Sequence, residues 1–125
     1  MPKLEHTNLT VTDPDTLAER LCQLFDWQVR WSGPALDDGY TVHVGGPESY
    51  LALYRPPNHK TSDLNHLVIG NLNHIGIEVD DLAKTEQRML DAGLKPFKHA
   101  DYDPGKRFYV MVDDNLELEC ISYAA

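Results

Sequence analysis

Leu4-Glu5-His6-Thr7-Asn8-Leu9-Thr10-Val11-Thr12-Asp13 and Leu72-Asn73-His74-Ile75-Gly76-Ile77-Glu78-Val79-Asp80-Asp81 are two copies of one pattern, and that duplication decides the fold. Each copy alternates apolar and polar residues behind a histidine, then ends on aspartate, as a strand leading into a helix does. The offset of 68 residues runs without a gap from Leu4 over Leu72 to Val44 over Val112, pairing Arg20 with Arg88, Leu21 with Met89 and Val42 with Val110. A unit of this length is too short to bury a core alone, so the copies are expected to pack together with equivalent residues meeting near a pseudo-two-fold axis.

Working outward, Asp13-Pro14 offers an N-cap and a first-turn proline, and Leu17, Ala18, Leu21, Cys22, Leu24 and Phe25 form one apolar helical stripe. Strands are expected at 29–32, 40–44 and 50–55, separated by turns at 33–39 and Gly45-Gly46-Pro47. The second copy reads the same way: strand 72–79, helix 81–92 closed by Gly93, then strands near 96–100, 107–112 and 116–122. Pro56 to Asp63 is polar and proline-rich, a linker, and Leu64 to Gly70 adds a short strand. The expected fold class is α+β: a single domain, 1–125, of two βαβββ modules, 4–55 and 72–123, joined by a linker over 56–71.

With 42% hydrophobic residues in 125, the chain can build a core without staples. A formal net charge of −9 repels nucleic-acid backbones and anionic membranes, while leaving a cationic ligand open. Cys22 and Cys120 form no metal or redox motif, and the first residues hold no apolar signal core. A cytoplasmic protein is the expectation, with no nucleic-acid or membrane partner.

Alternation places His6, Asn8 and Thr10 on one face of the first strand and His74, Gly76 and Glu78 on the matching face of its twin, both away from the helix. In the last strand Leu116, Leu118 and Cys120 belong under the helix, so Glu117 and Glu119 take the opposite face. The corresponding strand of the first copy carries Ala52, which the duplicated Leu-x-Leu frame sets in Glu117's place. His6, His74 and Glu117 then form a set of two imidazoles and one carboxylate that suits a divalent metal with open positions; Glu119, on the same face, is the alternative carboxylate. His43 is a candidate proton shuttle or fourth ligand, set against a plain strand-face histidine, and Tyr50, Tyr54 and Tyr109 are candidates to orient or protonate a substrate, set against pocket lining. Arg107, Tyr109 and Met111 face the same side, with Thr41 and His43 as first-copy equivalents. His99 is expected to match Trp31, and His59 and His66 to lie at the surface.

The paired His-x5-Val strand heads, the aspartate-led helices and Asn115-Leu116-Glu117-Leu118 resemble the vicinal oxygen chelate superfamily, which includes glyoxalase I, extradiol dioxygenases, fosfomycin-resistance thiol transferases and bleomycin-resistance proteins. The resemblance covers almost the whole chain outside 56–71 and implies an open, cupped mixed sheet, commonly in a homodimer. Its strand-head histidines and late-strand glutamate carry over as metal ligands to His6, His74 and Glu117. Ala52 departs from glyoxalase I, which has a fourth protein ligand there. Asp101 to Lys106 lacks the serine-rich loop of the thiol transferases, the arginine after the glutamate strand has no counterpart, and extradiol dioxygenases usually have four modules rather than two.

Two functions follow as expectations. The first is a metalloenzyme that chelates a small oxygenated substrate, with Fe(II) and dioxygenase-like chemistry favoured over Mn, Ni or Zn and glyoxalase-like chemistry, and with epoxide opening or thiol addition as a further branch. The second is a non-catalytic binding module of the bleomycin-resistance kind, with Trp27, Trp31 and the tyrosines as stacking surfaces.

Overall fold

The structure, a computed structural model, describes residues 1–60, 68–113 and 115–124. The chain divides into two compact units, Met1–Thr61 and Ser62–Ala125. The first contains β1 (His6–Thr10), α1 (Pro14–Phe25), β2 (Gln28–Ala35), β3 (Gly39–Gly45) and β4 (Tyr50–Arg55). The second contains β5 (Ile75–Glu78), α2 (Leu82–Asp91), β6 (Phe97–Asp101), β7 (Lys106–Asp113) and β8 (Leu116–Ser122). Each builds a four-stranded mixed sheet, ordered β1-β4-β3-β2 and β5-β8-β7-β6, so the βαβββ pattern is present twice. Residues 64–67 of the expected linker strand lie outside the described residues, while 68–71 form bends and turns. No helix among the described residues is long and apolar enough to cross a membrane.

Both helices start as the sequence dictates. Asp13 accepts from the Thr16 amide at 3.1 Å with Pro14 in the first turn, and Asp81 accepts from the Lys84 amide at 3.0 Å. Leu17, Ala18, Leu21 and Leu24 of α1 are buried, and α1 packs on β2, β3 and β4. Val42, Val44 and Leu53 supply the sheet side of that core; in the second unit Met89 of α2 and Phe108, Val110, Leu118 and Cys120 play the same part. Burying one such aliphatic side chain stabilises by roughly 1.5–3 kcal/mol, so these rows are what hold each sheet to its helix.

The duplication is not gapless. α1 has 12 residues and α2 has 10, although their N-caps keep the sequence offset. Beyond the helices, sheet register fixes a shorter spacing: Trp31 pairs with His43 as Phe97 pairs with Tyr109. Asn8 pairs with Ala52 as Gly76 pairs with Glu119, and His43 pairs with Ala52 as Tyr109 pairs with Glu119. Ala52 is therefore the counterpart of Glu119, and Tyr50 that of Glu117. This corrects the expected match of Ala52 with Glu117, of His99 with Trp31 and of His43 with Met111. The physical reason is twofold: α2 is two residues shorter than α1, and the connection from Met111 to Glu117 is one residue longer than that from Gly45 to Tyr50.

The expected turn at 33–39 is also shorter. Gly33, Pro34 and Ala35 continue β2 against Thr41, Tyr40 and Gly39, and Leu36–Asp38 reverses the chain with Asp37 and Asp38 at φ 57° and 59°. β2 is an edge strand, which tolerates a proline without an amide hydrogen. At Gly33 a Cβ would stand 2.9 Å from the Trp31 ring, so the side chain of Trp31 occupies that space instead.

Candidate metal centre

His74 immediately precedes β5, and β5 runs parallel to β8 with Gly76 beside Glu119. That register brings His74 Nε2 to 3.0 Å from Glu119 Oε1. The other imidazole nitrogen, Nδ1, lies 2.7 Å from Asn73 Oδ1. With Nδ1 turned to the Asn73 amide oxygen, Nε2 is the ring nitrogen that faces the carboxylate. A nitrogen and a carboxylate oxygen stand this close when one proton or one metal ion lies between them. Two donors at right angles, each about 2.1 Å from one ion, stand about 3.0 Å apart, which matches this pair.

Glu119 is held from its other side. Arg107 Nη1 donates to Glu119 Oε2 at 2.9 Å, and Nη2 donates to the carbonyls of Pro104 and Tyr102 at 2.9 and 3.3 Å. Arg107 and Glu119 are each 9% exposed, so this is a buried ion pair, in which both terminal guanidinium nitrogens are hydrogen-bonded and Nε has no partner. The Tyr102 ring lies over the guanidinium, 4.4 Å from its centroid.

A cleft of about 360 Å³ opens beside His74, lined by Asn73, Tyr109, Glu117, Tyr102, Lys98 and His99, together with Ala100. Tyr109 meets His74 edge-on at 5.4 Å, and its phenol is pushed up by burial first and then by the Glu119 charge. It stays a hydrogen-bond donor at neutral pH. His99 is occupied by Glu86 at 2.7 Å. Glu117, the sequence's carboxylate ligand, faces this cleft, while the carboxylate in contact with His74 is Glu119.

The first unit arranges its equivalents differently. His6 Nδ1 lies 2.7 Å from Glu5 Oε1, as His74 Nδ1 lies against the preceding Asn73. Tyr50 stacks between His6 and His43, at 5.0 and 4.6 Å, with Arg30 over its ring at 4.6 Å. Burial, then the charges of His6 and Arg30, pull the His43 imidazole below its ordinary value, which favours the neutral ring. Trp31 tilts against His43 at 5.3 Å. Tyr54 is engaged elsewhere: its hydroxyl donates to the Leu36 carbonyl at 2.7 Å and closes the β2–β3 turn. His59 is half-buried, and His66 lies outside the described residues. Within either unit, among the described residues, no three His, Cys, Asp or Glu side chains gather closely enough to hold an ion by themselves.

Alternation set Arg107 and Glu119 on the face away from the helix, but it did not foresee their contact, which depends on register. Gly93, at φ 80°, was the signal: a gapless alignment sets this helix stop opposite Phe25, which is inside α1.

The Glyoxalase/Bleomycin resistance protein/Dioxygenase superfamily matches residues 3–115. The chain belongs to that superfamily. Among solved structures, a glyoxylase/bleomycin resistance protein/dioxygenase domain from Frankia sp. EAN1pec is 21% identical, covers 98% of each chain and has a TM-score of 0.81. The fosfomycin resistance protein FosX from Listeria monocytogenes, complexed with Mn(II) and sulfate ion, is 14% identical over 98% of this chain and 93% of its own, with a TM-score of 0.74. The trypanothione-dependent glyoxalase I of Leishmania major is 19% identical over 98% of this chain and 88% of its own, with a TM-score of 0.75. Comparison with curated protein sequences gives no match. These superfamily members share the fold of this chain, two βαβββ units.

Proposed function

We propose that this superfamily member is a divalent-metal enzyme acting on a small oxygenated organic substrate, with His74 Nε2 and Glu119 Oε1 as two of its metal donors. The observation that supports the reading is the 3.0 Å approach of His74 Nε2 to Glu119 Oε1, with His74 Nδ1 turned to Asn73. His6 is proposed as the third donor on the strength of the repeat and of its matching Glu5 contact. Glu117 lines the cleft and is the competing carboxylate from the sequence frame.

When bound, the ion supplies Lewis-acid polarisation of two adjacent substrate oxygens and stabilises the anion that forms. The residues do the rest. Tyr109, kept protonated, would donate a hydrogen bond to a substrate oxygen; Lys98 and Tyr102 line the cleft where a substrate would sit; His43, kept neutral, would accept a proton. Mn(II), the ion of the Listeria FosX complex, is the first ion to test. A dioxygenase reading is second, because two imidazoles and one carboxylate also suit Fe(II). A homodimer, implied by the family resemblance, and a cytoplasmic location complete the proposal.

The test is metal analysis of untagged protein purified anaerobically. One transition-metal ion per chain, lost in His74→Ala, supports the enzyme, and manganese or iron selects its chemistry. A metal-free protein that does not take up Mn(II) or Fe(II) would leave the bleomycin-resistance type of binding module instead.

A further inference from the structure

We infer that Arg107 is the positioning residue of this site: it grips Oε2 of Glu119 so that Oε1 alone stands beside His74 Nε2. The inference rests on the metal reading above and adds to it a residue that touches neither ion nor substrate. A carboxylate can offer one oxygen or two to an ion, and a carboxylate free to rotate does both. Here Arg107 Nη1 occupies one oxygen at 2.9 Å while Nη2 is held by the Pro104 and Tyr102 carbonyls, an anchored donor that opposes rotation of the Glu119 carboxylate.

The sister unit shows that the fold does not need this pair. At the same sheet positions it carries Thr41 for Arg107 and Ala52 for Glu119, and it builds the same four-stranded sheet with Val42, Val44 and Leu53 fully buried. Arginine and glutamate are present together in one unit and absent together from the other. Burying both charges is unfavourable unless each is hydrogen-bonded, and a neutral pair would pack as well. The pair is therefore explained by what it does to Oε1. It also ties the β6–β7 turn to the ligand: the Tyr102 that lies over Arg107 is a wall of the cleft, so one side chain sets both the donor and the pocket beside it.

The test compares wild type, Arg107→Met, Arg107→Lys and the double variant Arg107→Thr/Glu119→Ala, which copies the sister unit. Each apo protein is titrated with Mn(II) and, separately, with Co(II), whose visible bands report coordination, and each is melted by circular dichroism. Arg107→Met is expected to bind Mn(II) about tenfold or more weakly and to change the Co(II) bands. Arg107→Lys, which keeps the charge without the fork, is expected to recover part of the affinity and still show altered bands. It also carries the test should Arg107→Met not fold. The double variant is expected to fold and to bind neither ion. Equal or tighter Mn(II) binding with unchanged Co(II) bands in the single variants would overturn the inference, since it would make Arg107 a mere counter-charge. A double variant that fails to fold would also overturn it, by making the pair structural. Wild-type protein that binds neither ion would remove the metal reading, and the inference with it.

Discussion

The two units have the same strand order and the same histidine at the head, yet they fill the position beside that histidine with opposite chemistry. In the second unit His74 meets a buried carboxylate locked by arginine; in the first, His6 meets the Tyr50 ring, and the residue matching Glu119 is Ala52. The helix-facing rows are apolar in both, so the shared core sets the fold and the opposite face is free to diverge. One unit carries a buried carboxylate and the other an aromatic stack with Arg30 and two imidazoles.

The largest effect expected of a single change tests the shared core. Phe108→Ala empties a fully buried site and should cost about 3–5 kcal/mol by urea denaturation, whereas Val42→Ala at the matching place in the first sheet should cost about 2 kcal/mol. Similar costs would mean that the two cores are not built alike. A sharper probe is Ala52→Glu, which puts the second unit's carboxylate into the first at a site 2% exposed, where Thr41 replaces arginine. An unpaired buried charge should destabilise by about 3 kcal/mol or more, and adding Thr41→Arg should recover part of it. No recovery would show that the pair needs the β6–β7 turn as well.

Smaller effects are expected at the helix start and at the titrating groups. Asp81→Ala removes the acceptor for the Lys84 amide and should cost about 1 kcal/mol in thermal denaturation. Burial pushes the Cys120 thiol up to about 12, so at pH 8 a thiol reagent should modify it only as the chain unfolds, while the half-buried Cys22 reacts first. His43 supplies a pH signature. Its folded value lies below the ordinary 6.5, so the unfolded chain takes up the proton first; stability is then full above that value and declines as pH falls below it. His43→Phe should flatten that acid-side decline in melting temperature.

The fold was legible because its signals are local and occur twice. Asp13-Pro14 and Asp81 announce helix starts, and the alternation around His6 and His74 assigns faces; the sheets bear both out. The carboxylate that contacts His74 was not legible in the same way. Glu117 and Glu119 both face away from the helix, and alternation cannot rank two residues on one face. Ranking them required register, and register depended on a helix two residues shorter and on a β7–β8 connection one residue longer. The Arg107 fork was also hidden, since its partners Glu119, Pro104 and Tyr102 come from a neighbouring strand and a turn.

The most direct measurement sets the two carboxylates against each other: Mn(II) titration of the apo protein as Glu119→Gln and as Glu117→Gln, each beside wild type. Glu119→Gln should abolish binding or weaken it by well over about tenfold, while Glu117→Gln should bind as wild type does. Loss of binding in Glu117→Gln with binding retained in Glu119→Gln would contradict the site built on His74 and Glu119.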